Sequence, residues 1–234
     1  MDTKLAAVVM VAGLAVPAAT DAWAVSPDAA SVYVEAMAGR ALAALQSEDD
    51  RMAKFGRLMI DSVDFATISK GALGRRGKRV SMDKLNELAR LLAADFVNKA
   101  SDRLRDAEVT GFTVGKARLM PDRDVMVKAV IEISGKDPIK TGWRVAERGD
   151  GLKIVDIKMQ GYSLRIHYMN WFERKIRLGG LDALINNLRR RVAGTRGMAW
   201  VQEAALPTIE RPPPGGSRDP VAVPRHGGSG VYPR

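Results

Sequence analysis

Apolar positions recur first at helical and then at strand intervals along this chain, and helical spacing returns near its end. Ser26 and Asp28 cap a first helix, with Pro27 in its first turn, and Val32, Ala36, Leu42 and Leu45 set its stripe. A second helix starts near Asp49, with Met52, Phe55, Leu58 and Met59 on one face, and breaks at Asp61 to Asp64. Phe65, Ile68 and Leu73 predict a short third helix closed by Gly74. The longest helix follows Ser81, carries Leu85, Leu88, Leu92, Phe96 and Leu104 on its stripe, and ends near Asp106. The period then falls to two. Strands are predicted over Val109 to Leu119, over Asp124 to Ser134 (Val125, Val127, Ala129, Ile131, Ile133), through Thr141, Trp143 and Val145, and through Leu152, Ile154, Val155 and Ile157. Pro121-Asp122, Gly135 to Pro138 and Glu147 to Gly151 supply the turns. Helical spacing resumes at Leu164 with Ile166, Met169, Phe172 and Ile176. It stops at Gly179-Gly180 and restarts at Leu181, Leu184, Ile185 and Leu188.

Four sequential strands on short turns predict an antiparallel meander. A meander with one apolar face needs a cover, and the helices supply it. The expected fold is therefore α+β: a four-stranded twisted antiparallel sheet under a helical layer. The chain after the last of these helices reads mostly as solvated tail, and Pro212-Pro213-Pro214-Gly215-Gly216 and Gly227-Gly228-Ser229-Gly230 place a disordered segment over 206–234.

At the other end, Lys4, the apolar run Leu5 to Val16, and Ala22-Trp23-Ala24 predict a cleaved export signal over 1–24. That run is shorter than the roughly 20 residues a membrane-spanning helix needs. The formal charge of +10 becomes +11 once Asp2, Lys4 and Asp21 (net −1) are removed.

The chemistry-bearing residues are few. With no cysteine, thiolate catalysis and cysteine metal sites are excluded, and no His/Asp/Glu grouping has metal-ligand spacing. Ser163 and His167 stand one helical turn apart, but Gly161-Tyr162-Ser163-Leu164-Arg165 lacks the second glycine of a nucleophile elbow. Ser163 reads as a helix cap, His167 as a surface or packed residue, and Asp156 as an acceptor of hydrogen bonds. Arg75-Arg76-Gly77-Lys78-Arg79 is a basic loop suited to an anionic headgroup or an acidic partner, or simply to solvent. It has no interleaved aromatic residues for stacking bases, which speaks against nucleic acid, and it fails the phosphate-loop pattern because Ala72 and Arg79 stand where that pattern needs Gly and Ser or Thr.

Several short motifs occur together in one order. Trp143-Arg144-Val145 is followed by Gly151-Leu152-Lys153-Ile154-Val155-Asp156, then Gly161-x-Ser163-Leu164, an aromatic helix reaching Phe172, and Gly180-Leu181-x-x-Leu184-Ile185-x-x-Leu188. Asp64-Phe65 and Leu73-Gly74 precede them. This layout, over roughly Asp28 to Val192, resembles the MlaC proteins, periplasmic lipid-binding components of the toluene-tolerance ABC transporter family. Two positions depart from the family pattern: Leu152 replaces an aromatic, and Met169 stands where an Arg often follows the helix tyrosine.

The resemblance implies a phospholipid carrier, not an enzyme, with no cofactor and no metal. It implies a monomeric protein of the periplasm that works between an inner-membrane ABC transporter complex and an outer-membrane complex and serves outer-membrane lipid asymmetry. A hopanoid or other polycyclic lipid is the alternative cargo. Outside that class stand a basic nucleic-acid-binding module and an enzyme or scaffold of the nuclear-transport-factor (NTF2-like) type, whose cone-shaped sheet the fold resembles. The lipid-binding domain then spans 25–205, with an apolar cavity between sheet and helices. The expected liners are Phe65, Leu73, Leu88, Leu92 and Phe96 from the helices, and Val127, Trp143, Val145, Val155 and Ile157 from the sheet. Tyr162, Leu164, Met169 and Phe172 are expected near the mouth. Arg75, Arg76, Lys78, Arg79 and Arg144 are the expected headgroup or partner contacts.

Overall fold

The structure is a computed structural model, and it describes residues 25–204 and 206. The expected export signal over 1–24 lies outside the described residues, as does the expected tail over 206–234 apart from Leu206, which packs against the core. Helices α1 (Pro27–Leu45), α2 (Arg51–Ser62) and α3 (Phe65–Leu73) lead into a 3-10 turn (Gly74–Arg79) and the long helix α4 (Met82–Leu104). Strands β1 (Val109–Leu119), β2 (Val125–Ile133), β3 (Ile139–Arg148), β4 (Gly151–Met159) and β5 (Tyr162–Ser163) follow, then helices α5 (Leu164–Val192) and α6 (Arg196–Glu203). The sheet is an antiparallel meander in the order β1-β2-β3-β4-β5. It has five strands rather than the expected four. The Gly161 corner has φ +88, and Tyr162 and Ser163 beyond it pair with Met159 and Lys158.

Side-chain alternation sends Val125, Val127 and Ala129 of β2 to the same face as Trp143 and Val145 of β3 and Ile154 and Ile157 of β4. All of these are buried against the helical layer. A bulge on β4 leaves Val155 as the extra residue between Ile154, which faces Val145, and Asp156, which faces Arg144. The layers are tied by backbone as well as by packing. Asp64 N donates to Ile154 O at 2.8 Å, and Val63 bridges the same strand residue.

Two elements differ from the sequence expectation. The buried side of α1 is Ala30, Val34, Met37 and Ala38, while Val32 is 65% exposed. An alanine-rich helix has weak contrast between its faces, so tertiary packing decides which side turns inward. After α5 the chain does not go straight to tail. It forms α6, whose Trp200 and Val201 are buried. Gly56 of α2 makes room for the Trp200 ring: a Cβ there would sit 2.7 Å from Trp200 Cζ3.

The Gly179-Gly180 break is present as a kink inside α5. Gly180 has φ +75 and ψ −176, a combination that a residue with a Cβ adopts only under strain. Asp95 of α4 spans that kink. It accepts from Tyr168 Oη at 3.0 Å before the kink, and pairs with Arg191 at 2.8 Å after it and with Lys99 at 2.9 Å on its own helix. Both halves of α5 are thereby held to the central helix.

A basic-rimmed cleft between α3 and α5

A cleft of about 650 Å³ opens between the end of α3 with its following turn and the first half of α5. Ala72, Leu73 and Gly74 with Arg75, Arg76 and Arg79 form one wall, and Met169, Phe172, Glu173 and Ile176 form the other. Each wall follows from local sequence. Gly74, at φ +57 and ψ −133, ends α3 in a conformation that favours glycine. The chain then folds back over α3, with Gly77 close against Lys70 O, which directs Arg75, Arg76 and Arg79 to the rim. On the other wall, Met169, Phe172 and Ile176 repeat at intervals of three and four residues and share one helix face.

The start of α5 is pinned by a buried carboxylate. Asp156 Oδ2 accepts from Ser163 Oγ at 2.6 Å, while its Oδ1 accepts from Arg165 N and Ile157 N, both at 3.0 Å. Ser163 Oγ in turn accepts from Ile166 N at 3.2 Å, which caps the helix. The Ser163 hydroxyl is thus committed to Asp156 rather than to His167, and Asp156 is an acceptor of hydrogen bonds. The Arg165 side chain of α5 lies against Gly71 of α3, where a Cβ would sit 2.8 Å from its Cδ.

The floor is apolar and the rim is positive. Leu73 and Phe172 are buried beneath it, and Met169 and Ile176 are half-buried beside it. Among the described residues, none of Arg75, Arg76, Lys78 and Arg79 is in an ion pair. Glu173 is the acidic side chain in the cleft lining, and Arg177 already holds it at 3.1 Å. Among the described residues no group of three or more His, Cys, Asp and Glu is placed to hold a metal ion, and no helix is long and apolar enough to cross a membrane.

The expected site residues separate into three groups. Leu73, Met169, Phe172, Arg75, Arg76 and Arg79 come together in the cleft, with Lys78 exposed on the same turn. Phe65, Leu88, Leu92, Val127, Trp143, Val145 and Ile157 belong instead to the packed core between the layers, with Phe96 against it. Phe65 and Phe96 pack ring to ring at 5.5 Å, and Trp143 Nε1 donates to Thr141 Oγ1 at 3.0 Å. None of the sheet residues lines this cleft, whose walls are helical. Val155 is buried on its bulge, and Leu164 packs against the core, whereas Tyr162 is 82% exposed. Arg144 lies on the opposite face of the sheet from Trp143, bound to Asp122 and, at 2.7 Å, to Asp124. Burial pushes its pKa below the usual guanidinium value and raises that of Asp124.

Sequence reasoning missed Ile176 and Glu173 as lining residues. Ile176 was visible as part of a stripe, but that stripe does not say which of its members faces a gap.

The family model described as "MlaC protein" matches residues 32–190. A solved structure, the phospholipid-binding protein from Ralstonia solanacearum in complex with a phospholipid, superposes with a TM-score of 0.62 at 20% identity, over 70% of this chain and 97% of that one. At that identity the likeness is one of fold. No curated protein matches the sequence.

Proposed function

The chain belongs to the MlaC family, and on that premise we propose that it carries phospholipid through the periplasm between an outer-membrane complex and an inner-membrane ABC transporter complex. MlaC proteins are lipid-binding carriers and not an enzyme family. The observation that carries the reading is the cleft itself: about 650 Å³, open, apolar at its floor and positive at its rim. That volume falls within the roughly 300–1,000 Å³ typical of small-molecule sites. Its lining matches an amphiphile, with hydrocarbon against Leu73, Met169, Phe172 and Ile176 and a phosphate toward the arginines.

A carrier meets a physical need. At about 0.8 kcal/mol per CH₂, an acyl chain of about sixteen carbons resists entering water by roughly 12 kcal/mol. A protein that shelters the chain removes most of that barrier. The same figure means that release is not simple dissociation: the membrane complexes must open the cleft or offer a continuous apolar path. Export through the leader at 1–24 places the domain in the periplasm, where it acts as a monomer.

The test is transfer of labelled phospholipid between two vesicle populations. Purified protein should raise the transfer rate in proportion to its concentration, and Met169→Trp with Ile176→Trp, which fill the cleft without entering the core, should abolish the increase. A rate unaffected by the protein would refute the carrier reading.

A further inference from the structure

Three of the cleft's ten lining residues are arginines, and their placement bears on which lipids the site takes. Resting on the phospholipid reading above, we propose that the cleft selects lipids whose headgroup carries a net negative charge, with Arg75, Arg76 and Arg79 as the selecting groups.

The three arginines share one rim and have no carboxylate partner among the described residues. The charge of Glu173 is taken up by Arg177. A headgroup entering here therefore meets a positive field that the protein does not neutralise. Every glycerophospholipid brings a phosphate, which arginine binds well as a planar, multidentate donor. The difference lies in the rest of the headgroup. A choline or ethanolamine carries a cation into the neighbourhood of three others and forfeits most of the gain. A glycerol headgroup carries hydroxyls and leaves the phosphate charge uncompensated.

The arginines are exposed, so each contributes modestly. An exposed ion pair is worth about a two- to three-fold factor, and three compound to roughly ten-fold. Screening follows from the same exposure: with a Debye length of about 10 Å at 0.1 M salt, the preference should shrink as salt rises.

The experiment loads delipidated protein from vesicles of equimolar phosphatidylglycerol and phosphatidylcholine, and mass spectrometry reads the bound ratio. The expected ratio favours phosphatidylglycerol by roughly ten-fold at low salt. R75Q/R76Q/R79Q should bring it near one, and E173Q should raise it. K116Q/K128Q/K140Q removes the same charge from the sheet and should leave the ratio where it was. A ratio near one in the unaltered protein overturns the proposal, as does an equal fall in the sheet variant, which would assign the effect to net charge. Inorganic phosphate serves as a separate arm. If it displaces bound phosphatidylglycerol completely at millimolar concentration, the site reads the phosphate alone and the proposal fails. If neither lipid loads, the carrier reading falls and this inference with it, whereas unselective loading sinks the inference alone.

Discussion

Replacing Asp95 with Ala removes a buried carboxylate of α4 that bonds to both halves of α5. Only 5% of the Asp95 side chain is exposed, and it receives three bonds of 2.8 to 3.0 Å, from Arg191, Lys99 and the Tyr168 hydroxyl. Breaking a fully buried pair costs about 3–5 kcal/mol. That figure is too high here, because the Lys99 and Arg191 side chains are 42% and 35% exposed and rehydrate when the carboxylate is gone. Arg191 also keeps its place over the Trp171 ring, 5.0 Å from its centroid. The Tyr168 hydroxyl has no such recourse. It is buried, Asp95 is its acceptor, and burial beside that carboxylate holds its pKa well above the ordinary tyrosine value. An orphaned buried donor costs about 1–3 kcal/mol. Adding a discounted ionic contribution gives an expected loss of about 2–4 kcal/mol. With a urea slope of about 2 kcal/mol per molar, the unfolding midpoint should fall by about 1–2 M. Tyr168→Phe should cost only about 1 kcal/mol, and combining it with Asp95→Ala should cost less than the sum of the two. A loss below about 1 kcal/mol for Asp95→Ala, or strict additivity of the pair, would refute the assignment of Asp95 as the clasp of α5.

Gly56→Ala sets helix propensity, a gain of up to about 1 kcal/mol, against a new methyl driven into the buried Trp200 ring, a cost of about 1–3 kcal/mol. The clash should win, lowering the melting temperature and weakening the near-ultraviolet circular dichroism of the docked Trp200. Asp64 caps α3 through Thr67 N at 2.8 Å and binds Arg148 Nε at 2.9 Å. Asp64→Ala should therefore cost about 1–2 kcal/mol in chemical denaturation. Burial, then Lys99, Arg174 and Arg103, push the His167 pKa below its ordinary 6.5, with Asp95 opposing them. The unfolded chain thus takes up the proton first as pH falls, so this residue's contribution to stability is complete above about 6.5 and is lost below it. His167→Gln should flatten the acid side of the stability profile in that window, and an unchanged profile would contradict the assignment.

The periodic elements were legible because one face of each is buried. That is true of β2, where Val125, Val127 and Ala129 alternate with exposed or half-exposed residues, and of α4. The kink was legible too, since paired glycines interrupt a stripe. Other features depend on distant partners and leave no local trace. Trp200 looks like tail until Gly56 gives it a socket. Arg144 reads as a free cation until a turn brings Asp122 and Asp124 beside it. The cleft is the sharpest case. The basic run Arg75 to Arg79 and the stripe Met169, Phe172, Ile176 are each visible in sequence, but ninety residues separate them, and only the packing of α3 beside α5 makes them two sides of one site. Periodicity marks which residues turn inward without telling filled core from lined gap, and so Leu92 and Val127 looked as eligible as Met169.

Native mass spectrometry of the protein purified from the periplasm, with organic extraction of what it holds, tests the central claim most directly. The unaltered protein should carry bound phospholipid, and the Met169→Trp, Ile176→Trp variant, equally folded by circular dichroism, should be empty. Phospholipid held equally by both would move the cargo away from this cleft, and an unaltered protein free of lipid would contradict the account outright.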